Sequence, residues 1–279
     1  MKKIFWLLTI VLIPVLLIHS CTKDGDVPLA KKSPTDTTVV PVKKPDADST
    51  VPPVVPVFPF DTCSYPGIIP DTFIQNRYNG DAVQLYLRDI HNNPQHPNYN
   101  QAELDQSGIR RILVYLHLIH SLNTPQTDSV FYVNRIHALY CVGTSGVSLK
   151  VNTTDHAIIN LADGIIPTGN PQLDEILATW HFDSVRTSYS YPKFPWLTVI
   201  TKNVYNLIPV VNAFKQVPLF TNAEASGGCF DGDDISLEYK ENKVIVTFSI
   251  GYGDCPAGCI GHNYWRFSIS DGIAEFIGY

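Results

Sequence analysis

Beyond residue 58 the chain moves between two hydrophobic periods. Val83, Tyr86, Leu87 and Ile90 recur at helical spacing and predict a helix over 81–91. Asn79-Gly80 opens it and Asn92-Asn93-Pro94 stops it. Ile109, Ile112, Leu113, Leu116 and Ile119 trace a longer stripe, a helix over 101–122 that ends before Pro125. Residues 129–140, rich in β-branched and aromatic side chains, read as a strand. A short apolar strand is expected over 157–161, then a helix capped by Asn170-Pro171 with Leu173, Ile176, Leu177 and Trp180 on one face. Strands over 184–191 and 195–201 follow, then a helix over 206–216 and a strand over 218–224. The order β-α-β-β-α-β predicts a ferredoxin-like module over 157–228. Period two then dominates: 234–239, 244–250, 263–270 and 273–279 read as an antiparallel meander, with Asp271-Gly272 as a hairpin turn. The expected class is α+β, with a helical segment over 58–156, the ferredoxin-like module, and a meander over 229–279 packed with that module.

The first 57 residues carry no such pattern. Lys2 and Lys3 precede an apolar run over 4–18, too short for a comfortable membrane span, and 1–20 reads as a secretory signal. Residues 21–57 are rich in Pro, Lys, Asp, Thr and Val, with prolines at 28, 34, 41, 45, 52, 53 and 56. Such a stretch buries no core and prefers an extended backbone. At roughly 3 Å per residue it reaches about 100 Å.

Composition then narrows the partners. With 44% hydrophobic, 11% aromatic and 16% charged residues in 279, the chain as a whole is neither disordered nor a coiled coil. Residues 22–57 hold five Lys and five Asp and are neutral; losing Lys2 and Lys3 takes the formal charge from −6 to −8, all of it on the body. An acidic body disfavours nucleic acid and anionic membranes, and favours basic or cationic partners.

Three resemblances add to this reading. Ile18-His19-Ser20-Cys21 resembles the lipobox of bacterial lipoproteins, which implies lipidation of Cys21 and a chain held on a membrane without spanning it. Thr22-Lys23-Asp24-Gly25-Asp26 resembles the export signal of surface-exposed lipoproteins of the Bacteroidetes. Gly253-Asp254-Cys255-Pro256-Ala257-Gly258-Cys259, with Tyr264-Trp265, resembles a loop in Bacteroidetes surface lipoproteins of no known activity. Separately, 206–224 and the helix from Leu173 are similar to a subtilisin-type propeptide. Only 55 residues follow Glu224, too few for a protease domain, so the resemblance implies a stand-alone binding module.

The chemistry is sparse. With Cys21 lipidated, Cys63, Cys141, Cys229, Cys255 and Cys259 remain, and an oxidising compartment favours pairing. Cys255 and Cys259 suit a small disulfide loop. Either Cys229 or Cys63 can pair with Cys141, and the sequence does not decide. As an alternative, Cys255, Cys259 and His262 suit zinc, although no fourth ligand is visible. His117 and His120 sit three apart without the Glu of H-E-x-x-H and read as satisfied histidines, with His137 able to join them in space. Asp231-Gly232-Asp233-Asp234 reads as a solvated turn rather than a calcium loop. No G-x-S-x-G or Walker loop occurs, and no cofactor motif is present. The sequence therefore points to a non-enzymatic envelope lipoprotein, at the outer membrane and surface-exposed, presenting an acidic module to a protein or peptide. A metal-dependent protein and a structural envelope protein are the alternatives.

Overall fold

The computed structural model describes residues 65 and 67–279, apart from 189, 241, 256 and 257. The expected secretory signal, Cys21, the expected tether and Cys63 lie outside the described residues. Among the described residues no helix is long and apolar enough to cross a membrane.

The first helix, α1 (Thr72–Asn92), starts earlier than the sequence pattern suggests. Ile74 and Tyr78 extend its buried stripe upstream, and Asp71 caps it by accepting from the Ile74 amide. Gly80 lies inside the helix and is no cap. The Tyr140 hydroxyl packs where a Cβ would stand, so the glycine serves close approach. Helix α2 (Gln106–His120) is capped by Asp105 and buries Ile109, Ile112, Leu116 and Ile119.

The strand expected over 129–140 does not form. Pro125 starts a short helix, α3 (Pro125–Asp128), through a Thr124/Thr127 capping box, and the chain continues as a π-helical turn over Ser129–Val133. Val130 and Phe131 bury their side chains against the helices rather than across a sheet. The Asn134 amide donates to the Ser129 carbonyl, which closes the turn.

Two four-stranded antiparallel sheets follow. The first is built from β1 (Gly146–Val151), β2 (Phe182–Thr187), β3 (Trp196–Thr201) and β4 (Phe220–Ala225), in the order β2-β3-β1-β4. Its first strand is not 157–161. Those residues lie in a helix, α4 (His156–Ala162), capped by Asp155, with Ile158 and Leu161 buried one turn apart. A five-residue apolar run fits a strand and a buried helix equally well, and the Asp cap decides it. Helices α5 (Pro171–Thr179) and α6 (Leu207–Lys215) share one core with the inward residues Val147, Leu149, Leu197, Val199 and Ala223.

The second sheet is a plain meander of β5 (Asp234–Lys240), β6 (Lys243–Tyr252), β7 (Gly261–Ser270) and β8 (Ile273–Gly278). Its inward stripe is Ile235, Val244, Val246, Phe248, Phe267 and Ile269. These pack on Ile74, Leu85, Ile112 and Leu116 of α1 and α2, and Ile208 of the preceding module reaches the same core. The 146–225 segment is thus an insertion that leaves and re-enters a helix-on-sheet body.

The crossing point is tied covalently and by hydrogen bonds. Cys141 and Cys229 stand at disulfide distance, with Cα atoms 4.4 Å apart. The buried Gln84 side chain accepts from the Val142 amide and donates to its carbonyl. Arg88 grips Asp234 through both guanidinium nitrogens and also donates to the carbonyls of Leu139 and Ile235. On the other side, the fully buried Asn206 that caps α6 donates to the carbonyls of Asn98, Tyr99 and Gln101.

Candidate functional site

The three histidines singled out by sequence do converge, but on aromatic rings and separate carboxylates rather than on a shared centre. Asp71, at the start of α1, receives both α2 histidines. Its Oδ2 lies 2.8 Å from His120 Nδ1 and 3.2 Å from His117 Nδ1. On the far side of the His120 ring, Nε2 lies 2.6 Å from the Tyr132 hydroxyl. With Nδ1 donating to the carboxylate, Nε2 accepts from the phenol, giving a carboxylate–imidazole–phenol line. Burial works against ionisation of Asp71, but the Ile74 amide and the two imidazoles outweigh it and hold the carboxyl below its ordinary range.

His137 goes elsewhere. Its Nδ1 donates to Oδ2 of Asp81 at 2.9 Å, while Oδ1 of Asp81 accepts from the Ala138 amide. Asp81 is 1% exposed and the His137 side chain 45%, so a buried carboxylate orients an imidazole that reaches solvent. Burial pushes the Asp81 carboxyl up, against the pull of His137 and the Ala138 amide. Burial also pushes the neighbouring Tyr78 phenol far above its ordinary value, with Asp81 adding to it.

Aromatic rings join the two pairs. Phe73 stacks on His120 with centroids 5.0 Å apart, and Tyr78 stacks on His137 at 4.8 Å. Phe131 meets Phe73, Tyr78 and His120 edge-on. A cavity of about 220 Å³ opens among Phe73, Tyr78, Phe131, Tyr132 and His137, with Arg77 and Arg135 completing its lining. Arg135 holds a left-handed backbone at φ 52, an uncommon state for a side chain of that size. The π-helical turn that sets Tyr132 and Arg135 is itself a local departure of the kind that gathers at functional positions.

A larger cleft of about 660 Å³ lies where the inserted segment meets the helices, bordered by Gln84, Leu104, Tyr140, Asn203 and Tyr205. Glu103 is the one charged side chain in its lining. It offers shape but few converging charges.

The cysteine loop forms a second cluster. Cys255 and Cys259 stand at disulfide distance. Asp231, part of the acidic turn before β5, accepts from the Cys259 amide at 2.7 Å and lies 3.1 Å from His262 Nε2. The Cys259 amide, with the Gly232 amide and His262, holds the Asp231 carboxyl below its ordinary value. Asp231, Cys259 and His262 bring one ligand atom each within 4.8 Å of one another, and they are the one such group among the described residues. With the two sulfurs bonded to each other, no thiolate is offered and the set does not fit zinc. Asp231 then serves as a hydrogen-bonding partner for His262. The remaining acids of that turn are also engaged in the fold: Asp233 accepts from the Gly251 amide and Asp234 binds Arg88.

Sequence reasoning found the histidines and cysteines but missed Asp71, Asp81, Tyr132, Arg77 and Arg135. Comparisons with protein-family models, with curated proteins and with solved structures gave no match to this chain.

Proposed function

We propose that the chain is a non-enzymatic, lipid-anchored envelope protein that presents an acidic binding body on a proline-rich tether. The observation that carries this is the order of segments before the body: a basic start, an apolar run over 4–18, Cys21, then proline-rich sequence as far as residue 57. Cysteine pairing in the body supports export to an oxidising compartment. The cysteine loop and the acidic residues after Cys21 support placement at the outer membrane, facing outward, as in the Bacteroidetes lipoproteins they resemble. Strand order β2-β3-β1-β4, with α4–α6 on one face, supports a ferredoxin-like reading of 146–225, now starting at β1 rather than at 157. A protein or peptide partner on that sheet, by analogy with protease propeptides, is part of the same proposal.

The reading is tested by the N-terminus of the full chain produced in a bacterium with an outer membrane. The chain is expected in the membrane fraction with a modified Cys21, and Cys21→Ser is expected to leave the membrane.

A second reading, a metal-binding protein, draws on Asp231 beside Cys259 and His262, a three-residue group that Cys255 would have to complete. It requires the disulfide to open. One zinc ion per chain is expected only after treatment with a dithiol reductant, with loss of zinc in His262→Ala. Zinc binding by the untreated chain would contradict the disulfide account of this loop, and no binding by the reduced chain would remove the metal reading.

A further inference from the structure

We infer that the cavity between α1 and the π-helical turn is a binding site for a small organic anion: a carboxylate or phosphate group carried on a flat, apolar body. This goes beyond the partner proposed for the 146–225 sheet: the cavity lies on the helix-and-meander body, with a ligand class of its own.

The walls are aromatic. Phe73 and Tyr132 lie with centroids 5.0 Å apart, and Phe131 stands edge-on to Phe73 at 6.5 Å. Rings so placed offer faces and edges to a planar group. The cationic side chains of the lining are Arg77 and Arg135, both exposed, and neither has an ion pair or hydrogen bond among the described residues. The nearby carboxylates are already taken: Asp71 by His120 and His117, Asp81 by His137 and the Ala138 amide. His137 spends Nδ1 on Asp81, which leaves Nε2 as its second hydrogen-bonding atom. Two guanidinium groups and an oriented imidazole therefore face a cavity whose acids are satisfied. Guanidinium matches carboxylate and phosphate geometry in pairs of hydrogen bonds. A volume of about 220 Å³ is below that of drug-sized sites and suits a single ring with one anionic group. The net negative charge of the body is screened beyond about 8 Å at physiological salt, so these short contacts decide the sign of the ligand.

Arg135 holds a left-handed backbone at φ 52 that glycine adopts with less strain, so Arg135→Gly removes the guanidinium without straining the turn.

The test is calorimetric titration of the processed full chain in detergent with phenyl phosphate, benzoate, inorganic phosphate and benzyl alcohol. At least one of the two aromatic anions is expected to bind with a dissociation constant of about 1 mM or tighter. Inorganic phosphate and benzyl alcohol are each expected to be at least about tenfold weaker. Arg77→Ala and Arg135→Gly, one on an exposed helix face and the other relieving its backbone, keep the fold. Each is expected to weaken binding about tenfold, while Lys202→Ala leaves it unchanged. Preference between phenyl phosphate and benzoate identifies the anionic group. Equal affinity in the arginine variants, equal binding of benzyl alcohol, or no binding by either aromatic anion would overturn the inference. The state of Cys21, read by mass on the same sample, reports separately on the anchoring proposal.

Discussion

Asp89 shows how a single buried carboxyl sets a pH dependence. It sits on α1 and accepts from the Tyr239 hydroxyl of β5. Burial raises its pKa to about 6, against the pull of that hydrogen bond and of Arg111. Between about pH 4 and pH 6 the unfolded chain has therefore released a proton that the folded chain keeps. The unfolded state binds fewer protons there, so stability falls as pH rises through this window. A shift of about two units corresponds to about 3 kcal/mol. Asp89→Asn keeps an acceptor for Tyr239 and removes the titration. Its unfolding free energy is expected to match wild type near pH 4 and to exceed it by about 2–3 kcal/mol at pH 7. Denaturant unfolding at a series of pH values checks this, and parallel curves for the two proteins would contradict it. At the same scale, partner choice was the part of the site that sequence could not show. His117, His120, His137, Cys259 and His262 stand out by type and spacing. Their partners are remote in sequence, Asp71 lying 46 residues before His117, Asp81 56 before His137 and Asp231 28 before Cys259.

At the scale of elements, legibility followed the caps and the length of the pattern. Helices α5 and α6 were readable because Asn170 and Asn206 precede stripes long enough to fix a period, and both side chains accept from the first turn. The meander was readable because strict alternation is interrupted by strong turns. Strand β1 was hidden behind Gly143 and Gly146, which look like turn residues, although 147–151 alternates. Gly143 in fact packs against the Ser226 carbonyl at the crossing between body and insertion. The π-helical turn was unreadable because its residues favour strands locally, and burial of Val130 and Phe131 against α1 overrides that preference. The Cys141–Cys229 pair closes a loop with a sequence separation of 88, which contains the whole first sheet. Replacing both cysteines with alanine is expected to lower the unfolding free energy by about 2–4 kcal/mol. Denaturant unfolding of that variant against wild type checks it, and an unchanged midpoint would mean that Gln84 and Arg88 hold the crossing by themselves.

At the scale of the molecule, two cores share one chain without following its order. The helices and the meander, separated by about a hundred residues, form one core, and the segment between them forms the other. Sequence order suggested that consecutive segments would pack together. Matching of apolar faces also joins distant ones, since α1 and α2 present stripes that the inward residues of β5–β8 cover. On the proposed account this body is anchored through an acylated Cys21. The measurement that tests this account most directly is the intact mass of the full chain recovered from bacterial membranes. The account predicts loss of residues 1–20 and an N-terminal Cys21 carrying acyl groups. An unprocessed chain beginning at Met1, with an unmodified Cys21, would contradict it.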